Sequence, residues 1–238
     1  MPNLLIEIGN TALKGAWAEG KTLGKTFRYQ GEKIRGFIEK MTADNRPDIM
    51  VVASKRDLDS QDEMILRACC RTLVLLDDRH KDFLKAYRLP EYLSADRAAL
   101  LIAARKLFQG KKCLVFDFST IVSVDSLDVV GNYIWGNLSL GCRTRFKAVQ
   151  RYSRALPLVN TPKENPERGN SLESSIEAGI ITGIKFEIDG YINSSPDSVV
   201  LFTGGDANFL AKQTKNPIFV ICNLVLMGLA TIADDYGK

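Results

Sequence analysis

The stretch Cys113–Gly141, CLVFDFSTIVSVDSLDVVGNYIWGNLSLG, alternates apolar runs with polar corners. It opens as an apolar run, passes through Asp117-Phe118-Ser119-Thr120, continues as a second β-rich run containing Asp125, and turns at Val130-Gly131-Asn132 into a third. The pattern predicts a β-meander with a polar hairpin at its first corner. An aspartate followed by small and hydroxylated residues at such a turn offers two things in one place: a carboxylate for a metal and backbone N–H groups for a phosphate.

The N-terminus repeats the arrangement. Leu4-Leu5-Ile6-Glu7-Ile8-Gly9-Asn10-Thr11 is an apolar strand with an acid, a Gly-Asn turn and a threonine, and a second run from Ala12 to Ala18 carries Lys14. The chain thus holds two acid-turn-threonine corners. Neither has the GxxxxGK[ST] spacing of a P-loop or the GxGxxG of a dinucleotide fold, which disfavours both classes.

A length of 238 residues allows one large or two medium domains, and the duplicated corner favours two. Hydrophobic content of 45% with 25% charged residues is that of a globular protein with material for a core. No run approaches the ~18 consecutive apolar residues of a membrane helix, and the N-terminus enters a strand without a signal-peptide pattern, so the expected location is cytoplasmic. The net charge of +4 is mild and the basic residues are scattered among acids, which gives no footprint for nucleic acid and suits a small anionic substrate. Cys69, Cys70, Cys113, Cys142 and Cys222 include no CxxC pair and are expected as reduced, buried thiols.

Along the first half, a strand is expected over Thr22–Gln30, a helix over Glu32–Met41, a strand over Asp48–Ala53, a helix over Asp57–Cys70 and a strand over Thr72–Leu76. Three strands, then helix, strand, helix, strand, is half of an α/β domain with a mixed sheet. His80, the one histidine, is expected in a solvated loop. Ser94 is placed to cap a helix running through Ala98 to Lys106, with Asp96 and Arg97 in its first turn. An acid there serves the helix dipole, and equally serves as a general base for a substrate hydroxyl. Gln109-Gly110-Lys111-Lys112 marks the expected boundary, giving domains 1–109 and 110–238.

The second half adds a helix from about Cys142 to Arg154, a mobile loop over residues 156–169, and a long helix opened by Asn170-Ser171-Leu172-Glu173. The apolar Val199–Phe202 then ends in Thr203-Gly204-Gly205-Asp206-Ala207 before another helix. Strand, Gly-Gly, helix is either a tight turn or a place where the chain approaches a ring or phosphate closely. An apolar segment, Ile218–Cys222, and a helix over Leu224–Ile232 close the chain.

Together the two corners and the TGG turn resemble the nucleotide-binding set of the acetate and sugar kinase, Hsp70 and actin superfamily. Within it, the chain resembles the type III pantothenate kinases over essentially its whole length. The resemblance rests on Ile8-Gly9-Asn10-Thr11 with Lys14, Tyr87 ahead of Asp96-Arg97, Asp117 and Thr120 with Asp125, Gly169-Asn170-Ser171, Thr203 to Ala207, and Asn223-Leu224-Val225-Leu226-x-Gly228-Leu229.

The resemblance implies two similar actin/ribonuclease-H-like domains, each a mixed sheet flanked by helices, with an interdomain cleft. It also implies ATP-dependent phosphorylation of pantothenate at its primary hydroxyl, the first step of coenzyme A synthesis, with Mg2+ and a monovalent cation, K+ or NH4+. By resemblance Asp96 is the proton acceptor. Tyr87, Ser94, Ala95, Arg97 and Ser171 join it at the substrate. Glu7, Ile8, Gly9, Asn10, Thr11, Ala12, Leu13 and Lys14 form the first phosphate loop, Thr120, Gly204 and Gly205 contact ATP, Asp117 binds the monovalent cation, and Glu7 is the Mg2+ candidate. The implied assembly is a homodimer. The chain departs from the family pattern at Glu7 (normally Asp), Ser94 and Ser119 (normally Gly), Trp135 and Leu140 (a Gly and a Pro) and Ser171 (normally Thr). Those departures motivate two alternatives: a catalytically weak or silent regulatory protein of the same fold, and a kinase for another small hydroxylated substrate.

Overall fold

The computed structural model describes residues 2–162, 164 and 167–237. In chain order its elements are β1 (Asn3–Ile8), β2 (Leu13–Glu19), β3 (Thr22–Tyr29), α1 (Ile34–Thr42), β4 (Ile49–Ser54), α2 (Ser60–Ala68), β5 (Thr72–Leu76), α3 (Asp82–Ala86), α4 (Ala95–Leu107), β6 (Cys113–Phe118), β7 (Ile121–Leu127), β8 (Tyr133–Leu140), α5 (Cys142–Tyr152), α6 (Leu172–Ser194), β9 (Val199–Gly204), α7 (Ala207–Ala211), β10 (Phe219–Val220) and α8 (Leu224–Tyr236).

The chain forms two compact units, one of residues through Leu107 together with those from Asn223 onward, the other of Phe108–Cys222. This differs from the expected 110–238 domain: α8 belongs to the first unit. The reason is visible at Gly228, where a Cβ would stand 1.9 Å from the Ala99 carbonyl oxygen of α4. Only a residue without a side chain lets the two helices approach so closely.

Each unit holds one five-stranded mixed sheet, ordered β3-β2-β1-β4-β5 in the first and β8-β7-β6-β9-β10 in the second. In both, the first three strands form an antiparallel meander and the last two run parallel to the first strand. The sheet is therefore the same object built twice, as the duplicated corner predicts. Central strands β1 and β6 are apolar almost throughout because both of their faces are covered, whereas edge strand β3 leaves alternate residues exposed.

In the first unit, Leu4, Ile6, Ile8, Leu13, Met50 and Val52 pack against Ile38 of α1 and Leu66 of α2. Ile34, Phe37 and Met41 complete the α1 stripe that the sequence spacing predicts. Asp59 caps α2 by accepting the Asp62 N–H, and Asp62 accepts the Asp59 N–H in return, so the helix begins three residues later than its acids suggest. In the second unit, Phe116, Phe118, Val122, Val124, Val200 and Phe202 pack against Phe146 of α5 and Ile181, Ile184 and Ile188 of α6.

Val159, in the segment expected to be mobile, is buried in that core. Lys163, Asn165 and Pro166 of the same segment lie outside the described residues. Cys70, Cys113 and Cys142 are buried as expected, whereas Cys69 is only partly buried and Cys222 is exposed. Burial pushes the Cys70 and Cys113 thiols up to about 11. His80 is a loop residue with a partly exposed side chain, and its ring nitrogen lies 2.8 Å from the buried Asp77 carboxylate. No helix among the described residues is long and apolar enough to cross a membrane.

Candidate active site

In the first unit, three chain segments meet at one end of the sheet. β1 and β2 join through Gly9–Ala12, where the Gly9 N–H donates to the Ala12 carbonyl at 3.0 Å and leaves Asn10 and Thr11 exposed at the tip. Ile8 and Leu13 turn their side chains into the core, so only their backbones face a ligand. Glu7 is paired in register with Lys14, which places both side chains on one face, the ammonium 3.6 Å from Oε2. Burial raises the Glu7 carboxyl above the ordinary range; Lys14 and Lys55 oppose this and Asp96 adds to it, and burial prevails.

β4 runs parallel to β1 with Ser54 beside Ile8, so the residues after Ser54 emerge next to the corner. The Lys55 N–H donates to the Ile8 carbonyl at 2.9 Å. The Ser54 hydroxyl donates to the Arg56 carbonyl and accepts the Arg56 N–H, which fixes the turn. The Arg56 guanidinium then donates to the carbonyls of Gly9, at 3.0 Å, and Asn10, at 2.9 Å. Two carbonyls of the corner thereby have a cationic partner.

The third segment is the entrance of α4, carrying Ser94, Ala95, Asp96 and Arg97. Asp96 and Arg97 are buried, Asp96 with 2% exposure. Neither carboxylate oxygen of Asp96 has a hydrogen-bond partner among the described residues. The charge is met by an ion pair, with Lys55 Nζ 2.5 Å from Oδ2. The first turn of a helix also favours a negative charge. Tyr87 is engaged elsewhere in the unit: its hydroxyl donates to Asp235 Oδ2 at 2.8 Å, and burial, then that bond and the nearby carboxylate, raise the phenol above its usual range.

In the second unit, the hairpin between β6 and β7 holds Asp117, Ser119 and Thr120. Asp117 is buried and accepts a hydrogen bond from the Ser119 hydroxyl at 2.9 Å. Its cross-strand neighbours in register are Ser123 and Thr203, both buried, and the Ser123 hydroxyl has no hydrogen-bond partner among the described residues. Gly204 has φ +92°, and a Cβ there would lie 2.5 Å from the Phe118 carbonyl and 2.6 Å from Asp117 Oδ1. Glycine is required on both counts. Gly205 borders open space. Asp206 has its carboxyl raised by burial. Thr120 is exposed, and its carbonyl accepts from the Gly141 N–H and the Thr144 hydroxyl. Ser171 is exposed and caps α6, its hydroxyl accepting the Ser174 N–H at 3.2 Å.

The positive-φ residues other than glycine are, among those described, Arg88 and Asp197. Ser94, Ser119 and Trp135, where the resemblance leads to an expectation of glycine, are not among them, so none of the three needs a glycine's positive φ. Ser119 also gives Asp117 a hydroxyl donor that a glycine could not. Lys55, Arg56 and Asp235 are the site neighbours that sequence reasoning passed over; the signal for the first two was a Lys-Arg pair directly after an apolar strand.

A family model described as type III pantothenate kinase matches residues 3–194. A type III pantothenate kinase of Flavobacterium johnsoniae is 31% identical over 233 residues, covering 95% of each chain. Among solved structures, a Baf family protein from Campylobacter jejuni superposes with a TM-score of 0.67 at 18% identity, covering 98% of both chains. A ROK hexokinase from Thermus thermophilus does so at 0.54 and 14% identity, covering 97% of each. These two likenesses are of fold.

Proposed function

Because the chain belongs to the type III pantothenate kinase family, we propose that it transfers the γ-phosphoryl group of ATP to the primary hydroxyl of pantothenate, giving 4'-phosphopantothenate for coenzyme A synthesis. The observation that carries the reading to the residues is Asp96: a carboxylate out of solvent at a helix entrance, charge-paired through Oδ2 and with Oδ1 unengaged. Such an oxygen is suited to accept the proton of an attacking hydroxyl.

Phosphoryl transfer to an alcohol needs in-line positioning and neutralisation of charge on the phosphoryl oxygens, and no covalent intermediate. In this reading the exposed Gly9–Thr11 tip, braced by Arg56, and Lys14 hold the phosphates, Arg97 orients the pantothenate, and Oδ1 of Asp96 takes the hydroxyl proton. In the first unit Ser94 and Ala95 add to the pantothenate contacts, and Tyr87 joins them on exchanging its Asp235 partner for substrate; in the second unit Thr120, Gly204 and Gly205 are the nucleotide contacts and Ser171 is a pantothenate contact. The oxygen-rich surroundings of Asp117, with the Ser123 hydroxyl across the strand, would suit a monovalent cation such as K+ or NH4+, and Glu7 is the carboxylate that would reach Mg2+ in this reading. When bound, the two cations supply positive charge to the phosphates. The active assembly in this reading is a homodimer.

The test is formation of phosphopantothenate from ATP and pantothenate with Mg2+, with and without K+ or NH4+. Turnover is expected; absence of turnover with pantothenate still bound in calorimetry would return the protein to the silent, regulatory alternative.

A further inference from the structure

Lys55 is a residue to which neither composition nor family pattern gives a part, and its placement is unusual in three respects. Its backbone is fixed, because its N–H is hydrogen-bonded to Ile8 and the following residue is clamped to the corner by Arg56. Although the residue as a whole is exposed, its side chain turns inward and keeps 27% of its surface in solvent. It lies 2.5 Å from a carboxylate that is itself 2% exposed and has no hydrogen bond from another described residue.

We infer that Lys55 is the positioning residue of the proton acceptor: it holds the Asp96 carboxylate through Oδ2 and turns Oδ1 toward the substrate hydroxyl. This rests on the kinase reading above. An ammonium is a point charge with three donors and fixes an anion without the planar demands of a guanidinium. Removing it leaves a buried carboxylate without its ion-pair partner, and such a group moves from its place or disturbs its surroundings. In either case the base is lost while the phosphate corner, held by Arg56 and by the Gly9–Ala12 turn, stays in place. Lys55 therefore acts through Asp96 and not on the phosphates. Other charged groups named around the pair are Glu7 and Lys14 from β1 and β2, which neutralise one another in register and leave Lys55 as the counter-ion of Asp96.

The experiment compares wild type, Lys55→Met, Lys55→Arg, Asp96→Asn and the double variant Lys55→Met/Asp96→Asn in steady-state phosphopantothenate formation. For Lys55→Met, kcat falls at least tenfold, a part of the ~100-fold or more that a general base supplies, with KM for ATP within about threefold of wild type. Lys55→Arg recovers part of the loss. The double variant is no slower than Asp96→Asn, because nothing remains for Lys55 to position. A tenfold rise in KM for ATP at unchanged kcat, a Lys55→Met variant as fast as wild type, or additive losses in the double variant would each overturn the inference. Wild-type turnover reads the functional assignment separately. If wild type is inactive that assignment falls, and the pair is judged by thermal midpoints: both single substitutions lower the midpoint and the double variant regains at least half of the loss, whereas additive losses refute the pairing.

Discussion

Gly228, inside α8, and Gly36, in the first turn of α1, are both helical glycines of the first unit, and the structure predicts opposite outcomes for the same substitution. At Gly36, in α1, a Cβ meets nothing within 4 Å. Alanine there gains the intrinsic difference between the two residues, about 0.5–1 kcal/mol. At Gly228, in α8, the same Cβ falls 1.9 Å from the Ala99 carbonyl oxygen, 2.4 Å from its carbon and 2.9 Å from its Cα. All three are backbone atoms of α4, so no side-chain rotation relieves the overlap, and contact at that range is deep in the repulsive wall. The helices must separate, and overpacking of this kind costs about 1–3 kcal/mol or more. Set against the propensity gain of up to about 1 kcal/mol, Gly228→Ala comes out destabilising by about 2 kcal/mol. For a chain of this size each 1 kcal/mol moves the thermal midpoint by roughly 2–4 °C, so the expected drop is about 4–8 °C. Urea unfolding followed by circular dichroism reads both variants. Because α4 carries Asp96, Gly228→Ala should also lose activity at temperatures where it is still folded. A Gly228→Ala protein as stable as Gly36→Ala would refute the close α4–α8 crossing, and with it the assignment of α8 to the first unit.

Two further predictions concern charge. Glu7 has its carboxyl raised by burial, so its ionised form opposes folding above the ordinary carboxylate range; Glu7→Gln should raise the thermal midpoint near pH 7 while lowering turnover, and a fall in midpoint would contradict the raised value. Asp77 is the reverse case: burial acts to raise its carboxyl, but the His80 ring and the backbone N–H groups of Arg79 and His80 prevail and lower it. A lowered carboxyl contributes stability that is complete above its unfolded value and is lost as pH falls through the folded one. The stability gap between wild type and Asp77→Asn, measured in urea, should therefore shrink as pH falls below about 4; a gap undiminished well below that range would refute the arrangement.

The two sheets were legible in the sequence because their central strands are apolar on both faces and their corners repeat an acid-turn-threonine pattern. α6 was legible for the same reason, as isoleucines recur at helical spacing behind a serine cap. α3 was not, since five residues are too short for a periodic signal. α8 was legible as a helix and misplaced as part of a domain: from Leu224 to Ala233 it is buried nearly throughout, so its pattern says that it is enclosed without saying by what. Of the site, the residues that carry charge at turns stood out, while their supports did not. A lysine after a strand reads as a solvated charge until Asp96 is found 2.5 Å away, and the Tyr87–Asp235 bond joins residues 148 positions apart. Such pairings arise from the path of the chain and leave no local trace.

The measurement that bears most directly on the central assignment is ATP-dependent phosphopantothenate formation by wild type and Asp96→Asn. The account predicts turnover by wild type with Mg2+ and a loss of at least ~100-fold in kcat in a variant that keeps the wild-type circular dichroism spectrum and stays folded at the assay temperature. Turnover by Asp96→Asn within a few-fold of wild type would contradict it, removing the carboxylate at the entrance of α4 from the chemistry.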